Sequence, residues 1–495
     1  MDGLHKKSPQ ANPAPNEVLM SPYPSVADSL SVRENATAQK DGVQKTVWLT
    51  RIKDFPMKVN FVELAHLAKK DREQLFQRES VDISGLTRQV SPIIEAVRTR
   101  GDEAVQEYTR IFDGVDKETS GFRVPFSEMD RAVEELPSDL RIAMEISIAN
   151  IRAFHECQLP ASTWEIEIMP GVSAGEKLVP LASVGLYVPR GKGSFPSMMM
   201  MAGVPAKVAG VERIVVVTPP DRDGKADLAT LAAARLIGLE EVYAVGGVQA
   251  IAALAFGTQT MPRVDKIVGP GSGYVLAAKQ LLSYLIDTGL PAGPSEAIVL
   301  ADDSVDVVIA VTDLLIEAEH GPDSSAYLVT PDPSFAHAAV ETIPVLVERL
   351  PEPRRDYCRT VLSSNGGIVL AAGLEDAIDF INGFAPEHLQ LLVRNPEEVL
   401  EKIRFAGEVL LGPWTPGTLA NYSLGPNAIL PTSRFARTAS ALSVRDFTRR
   451  MSFSRVTAEG FRHLAPHTVR LADYEGFPAH AAALRYRMGM DITKQ

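Results

Sequence analysis

Between Val184 and Ala371 the chain alternates short apolar runs with helical stretches. That alternation restricts it to a parallel α/β architecture. Val184-Gly185-Leu186-Tyr187-Val188 predicts a strand, and Ser197 to Ala209 a helix. Strands are expected at Val211 to Thr218, Glu241 to Val245 and Lys266 to Val268, with helices at Ala226 to Ile237 and Val248 to Phe256. After Gly293-Pro294-Ser295 the pattern resumes. Strands are expected at Ala297 to Ala301, Ser325 to Thr330 and Gly367 to Ala371, and helices at Val305 to His320 and Ser334 to Leu350. Two α/β units follow from this spacing.

The flanks behave differently. Residues from about 60 to 155 repeat apolar positions at helical spacing, as in Val62 to Arg78 and Arg88 to Phe112. Residues 1–48 are rich in Pro, Ser and Asn with no hydrophobic period, which predicts a disordered tail. The tail has no secretory h-region, and Asp2, Glu17, Asp28 and Glu34 argue against a transit peptide. The Arg- and His-rich C-terminal stretch is expected to be helical and less self-contained.

Net charge excludes some partners. A formal charge of −12 argues against nucleic acid or an anionic membrane surface. The longest apolar candidate for a span, Val242 to Phe256, is too short and contains Gln249. Cys157 and Cys358 are the only cysteines, which points to a reducing, cytoplasmic setting and leaves any metal to His, carboxylate and amide ligands.

Nine histidines are available, and two directly follow a glutamate. Glu317 and His320 are three apart, so they share a helix face and suit one metal ion. The same spacing also suits a surface pair at a helix C-terminus stopped by Gly321-Pro322. Pro386-Glu387-His388 predicts a helix start, with imidazole and carboxylate available for proton transfer. A solvent-exposed pair on a capped helix has the same signature. A third His, His480, follows Glu475 near the C-terminus. Gly269-Pro270-Gly271-Ser272-Gly273-Tyr274 lacks the third glycine of the dinucleotide fingerprint G-x-G-x-x-G. Pro189-Arg190-Gly191-Lys192-Gly193 lies between a strand and a helix, where a phosphate can bind. Met198 to Met201 is expected to be core packing.

In combination these segments resemble the histidinol dehydrogenases. The matching stretches include Gly185-Leu186-Tyr187-Val188-Pro189, Gly246-Gly247-Val248-Gln249-Ala250, Ala292-Gly293-Pro294-Ser295-Glu296, Ala318-Glu319-His320, Ala385-Pro386-Glu387-His388-Leu389 and Ala479-His480. The resemblance implies two Rossmann-like parallel-sheet domains with a C-terminal helical arm exchanged in a homodimer. It divides the chain into a tail (1–48), a helical segment with part of the first α/β domain (49–186), a second domain (187–294), the remainder of the first (295–442) and the arm (443–495). It implies a zinc-containing, NAD-dependent enzyme that oxidises a small alcohol, by default L-histidinol, in two hydride steps. Carried over, His388 is the general base and Glu387 activates water. Tyr187, Gln249 and Ser272 fall at NAD positions. Glu317, His320, Asn421 and His480 fall on the metal. The same four, with Ser295, His388 and Glu475, fall around the substrate, and Glu475 and His480 come from the partner subunit.

Several positions depart from the family pattern. Glu317 stands where Gln is usual and Asn421 where Asp is usual, an exchange that keeps one carboxylate, one amide and two imidazoles. Ala428 replaces a substrate-holding His, Ser272 replaces an Asn, and Arg190 replaces a Gly. Two alternatives to histidinol oxidation follow: a paralogue acting on another alcohol, including an anionic one such as a sulfonated diol held by Arg190, and an inactive, metal-poor relative.

Overall fold

The structure is a computed structural model and describes residues 33–40, 43–52, 55–76, 83–116, 121–190, 193–290 and 293–489. Three strands come first, β1 (Arg33–Lys40), β2 (Val43–Ile52) and β3 (Phe55–Glu63). Next are β4 (Thr163–Met169), β5 (Val172–Pro180), β6 (Ser183–Tyr187), β7 (Arg213–Val217), β8 (Glu241–Tyr243) and β9 (Lys266–Val268). Then come β10 (Glu296–Ala301), β11 (Ser325–Thr330), β12 (Gly367–Leu370), β13 (His388–Leu392), β14 (Glu408–Leu411) and β15 (Thr448–Val456).

They form three sheets. The small parallel sheet runs β8-β7-β6-β9, and the large one β1-β2-β3-β12-β11-β10-β13-β14. From β3 to β14 every pairing in the large sheet is parallel. Each parallel unit begins in the middle of its sheet, steps outward twice and then crosses to the opposite side, which is the strand order of doubly wound nucleotide folds. Both are covered by helices. The strand Ser325-Ala-Tyr-Leu-Val-Thr330 is therefore buried along its whole length, as a two-sided parallel strand must be. The helix Leu228–Ile237 shows local control of its ends: Asp227 accepts from Thr230 N–H, and Gly238 takes the left-handed closing position.

Several expected boundaries shift. Residues 33–40 and 43–48 are strands, not tail. The tail's composition is dominated by its first part, whereas Val43, Thr46, Val47, Trp48 and Leu49 have strong strand preference. β1 and β2 pair antiparallel, with Lys40 opposite Val43. Val62 and Glu63 end β3 rather than begin a helix. The helices Ile83–Arg100 to Ser138–Cys157 pack on the small sheet, with Val90, Val97, Met129 and Ile148 in the same cores as Val215, Ile267 and Val184, so within 49–186 they go with the small sheet and not the large one. β6 is likewise part of the small sheet, ahead of the boundary at 187. The C-terminal stretch opens with β15, which joins β5 and β4 in an antiparallel sheet before the helices Ala458–Tyr474 and Pro478–Met488. Among the described residues no helix is long and apolar enough to cross a membrane.

Gly269, at the end of β9, has φ +118, and a Cβ there would lie 2.1 Å from the carbonyl oxygen of Tyr187. Gly269→Ala is expected to cost about 1 to 3 kcal/mol. The measurement is a lower urea midpoint with unchanged slope.

Candidate active site

One cavity of about 220 Å³ lies where the two parallel sheets meet. Pro189 and Pro270 reach it from just beyond the carboxyl ends of β6 and β9, neighbours on either side of the small sheet's order reversal. That crevice is where open α/β sheets bind ligands. The opposite wall comes from the amino ends of β10 and β13, through Ser295, Glu387 and His388. Phe195, Met198, Met201, Ala428, Ile429 and Leu430 make an apolar flank. Met199 and Met200 are core, as expected, but Met198 and Met201 also line the cavity.

Glu387 and His388 are not at a helix start. The helix Leu374–Phe384 ends at Ala385, which has φ 53, and His388 begins a strand. Pro386 serves the extended entry as well as it would serve a helix. The alternation of His388-Leu389-Gln390-Leu391 is the strand signal that Pro-Glu-His masked.

Glu317 occupies the last turn of the helix Val307–Ala318, and His320 lies just beyond it. His320 Nδ1 is 3.0 Å from Glu317 Oε2. Asn421, on the short helix Gly417–Tyr422, donates its amide to Glu317 Oε1 at 3.1 Å. The acid and the amide therefore touch. His388 Nε2 is 3.8 Å from both Glu317 Oε1 and Glu387 Oε1. Its Nδ1 lies 2.6 Å from Glu408 Oε1. Glu387 Oε2 accepts the Glu296 N–H at 2.9 Å.

These neighbours separate the two cavity carboxyls. Burial alone would raise Glu317, but His388 and His320 outweigh it and hold the carboxyl low, at about 2. Glu387 is pushed up to about 8 by burial, with the Glu317 charge adding to it against His388. Burial disfavours the charged His388 ring, but Glu317, Glu387 and Glu408 reverse that and raise it. Two carboxyls with divergent acidity beside one imidazole form an acid–base set.

The chain brings one carboxylate, one imidazole and one amide to a single wall, and this donor set suits zinc or a similar divalent ion. Among the described residues no group of three or more His, Cys, Asp or Glu is arranged to hold a metal. His480 and Glu475 do not line the cavity; both are exposed on the C-terminal helices, with His480 against Phe477. One chain alone therefore supplies three of the four expected ligands.

On the small sheet, Tyr187 Oη accepts the Gly247 N–H at 3.2 Å, next to the start of the helix Gly247–Phe256. Gln249 is fully buried on that helix, and both its amide atoms lack a hydrogen-bond partner. Ser272 caps the helix Gly273–Leu282 in position but makes no side-chain cap bond. These unspent groups at two helix starts fit a dinucleotide. Arg190 corrects an expectation: it donates to the Lys225 carbonyl at 2.8 Å, lies 3.6 Å from Asp221, and does not line the cavity. Gly191 and Lys192 of the same turn lie outside the described residues.

The fold and this cavity define a doubly wound α/β enzyme with an acid–base set facing a metal-type donor wall. A histidinol dehydrogenase family model matches residues 76–488. A "histidinol dehydrogenase homolog" of Rhizobium meliloti (strain 1021) is 50% identical over 88% of this chain and 96% of its own length. A histidinol dehydrogenase of Synechocystis sp. is 49% identical over 86% and 98%. The crystal structure of histidinol dehydrogenase from Elizabethkingia anophelis superposes with a TM-score of 0.81 at 32% identity, covering 87% of this chain and 98% of that one. The chain belongs to the histidinol dehydrogenase family, a family of oxidoreductases.

Sequence reading missed two supports of the site. Glu408 stands in Phe405-Ala406-Gly407-Glu408-Val409, where nothing marks it as a partner of His388. His155 is buried far from any motif, 3.3 Å from the amide nitrogen of Asn427. Asn427 also donates to the Met201 carbonyl at 2.6 Å and accepts from Ile429 N–H at 2.9 Å, so it pins the Ala428 wall. With the Asn427 amide donating, His155 Nε2 accepts, and Nδ1 donates to Gln158 at 2.7 Å. Burial holds the His155 pKa below the usual range, against the smaller opposing effects of Gln158 and Asp446. The unfolded ring protonates near about 6.5 while the native ring stays neutral. This contribution to stability is therefore complete above that pH and declines as pH falls through it, by up to about 1.4 kcal/mol per unit. Urea midpoints at pH 7.5 and 5.5 should show a drop for the native chain that shrinks in His155→Gln.

Proposed function

We propose that this chain is an NAD-dependent, zinc-containing homodimer that oxidises L-histidinol to L-histidine through the aldehyde. The observation that carries this is the convergence of Glu317, His320 and Asn421 with Glu387 and His388 on one cavity below the small sheet's switch point. Glu317, His320 and Asn421 would hold the zinc, with His480 of a second copy as the fourth ligand. When bound, zinc supplies a Lewis acid that orients the amino alcohol, and NAD supplies the hydride acceptor. Tyr187, Gln249 and Ser272 bind the dinucleotide on the small sheet.

The residues do the proton work. His388 takes the alcohol proton in each oxidation step. Glu387, with its raised proton affinity, takes a proton from the water that adds to the aldehyde carbon. Ser295 lines the cavity as a substrate contact, and Glu475 of the second copy completes it. The C-terminal arm supports the exchange. Leu471, Tyr474, Phe477 and Tyr486 are exposed on its two helices, an apolar surface that a single chain leaves in water. Scarce cysteine, with neither residue in a disulfide, supports a cytoplasmic setting.

One observation favours a second alcohol as substrate. Ala428, Ile429 and Leu430 give the cavity flank no polar group for an imidazole ring. Arg190 no longer favours an anionic alcohol, because Asp221 and the Lys225 carbonyl occupy it. Histidinol and uncharged alcohols are therefore the relevant panel.

The expected result is two NADH per histidinol, lost on chelation and regained with zinc. His388→Ala is expected to lower kcat by roughly 100- to 10,000-fold. No NADH from saturating histidinol with zinc-loaded dimer, but turnover of another alcohol, selects the second reading.

A further inference from the structure

We propose that Glu408 is the positioning residue that makes Nε2 of His388 the proton-accepting end of the ring; this rests on reading His388 as the base. β13 and β14 run parallel, and their register sets His388 beside Glu408. The ladder is closed at that point by Gly407 N–H to the Pro386 carbonyl at 2.9 Å and Glu408 N–H to the Glu387 carbonyl at 3.0 Å. Gly407 permits the approach: a Cβ there would lie 2.5 Å from the Glu387 carbonyl oxygen. The two side chains are held together by backbone geometry, not by a flexible surface encounter.

In its neutral, base-competent form the imidazole carries one proton, and three glutamates compete for its position. Glu317 and Glu387 each lie 3.8 Å from Nε2, so both favour a proton on the cavity side. Glu408 lies 2.6 Å from Nδ1 on the far side. Only that contact is within hydrogen-bond reach, and it holds the N–H on Nδ1. Nε2 then presents its lone pair to the cavity.

The step balances simply. The alcohol O–H bond breaks, its proton goes to Nε2, and the ring becomes an imidazolium whose charge Glu408 stabilises without taking a proton. Glu408 does not line the cavity, so it acts through His388.

Glu408→Gln retains the shape and removes the charge; Glu408→Asp keeps the charge with a shorter reach. In the zinc-loaded enzyme, Glu408→Gln is expected to lower kcat about 10- to 100-fold with KM nearly unchanged, and Glu408→Asp to recover part of the loss. A purely structural role would instead lower the melting temperature and the active fraction, leaving kcat per active site intact. A second readout needs no turnover. Nitrogen-15 imidazole spectra taken on the alkaline side of the ring's titration, with the His388 signal identified by its loss in His388→Ala, should show a proton on Nδ1 alone in the neutral ring of the native enzyme. In Glu408→Gln the proton should shift toward Nε2. A neutral native ring protonated at Nε2 overturns the proposal, as does full kcat in Glu408→Gln. If histidinol is not turned over but the Nδ1 proton is seen, Glu408's role stands and the substrate reading fails.

Discussion

The contact on which this site depends is the buried Glu317 carboxylate held between two imidazoles and an amide. A carboxylate with so little exposure persists only if its neighbours replace lost water, and His320, His388 and Asn421 do so from three separate segments. Removing one partner of such a buried group leaves a charge without compensation, a loss on the order of 3 to 5 kcal/mol. Glu317 and Asn421 place one carboxylate and one amide in contact at 3.1 Å.

Around that contact the two parallel sheets face each other in opposite senses. The small sheet presents the carboxyl ends of β6 and β9, and the large sheet the amino ends of β10 and β13. Dinucleotide-type groups and acid–base groups therefore come from different sheets and meet only at the cavity. Each sheet has its own core on both faces, so the cavity wall is set by rigid elements. His388 gains its environment by starting a strand: the neighbouring strand β14 brings Glu408 alongside, which the first turn of a helix would not have done.

Most strands and helices between Val184 and Ala371 were legible because buried parallel strands are continuous apolar runs and their helices are long. The failures have physical causes. Pro before Glu387 suits both a helix start and an extended entry, and local sequence does not separate them. The strands at 33–52 were hidden by averaging them with a Pro-rich stretch. Arg190 looked available for an anion because its partner Asp221 lies on the far side of a strand and helix in sequence. Antiparallel β4, β5 and β15 escaped notice because the third strand arrives from the far end of the chain.

The sequence by itself determined most of the alternating α/β elements and the family, since these reside in local pattern and residue type. Tertiary structure alone decided that Glu317 touches Asn421, that Glu408 backs His388, that His155 steadies the Ala428 wall, and that Arg190 is occupied. Those outcomes depend on strand register and burial, which bring together residues separated by up to 272 positions. No local pattern encodes such a pairing, because its energy arises only once water has been excluded around both partners.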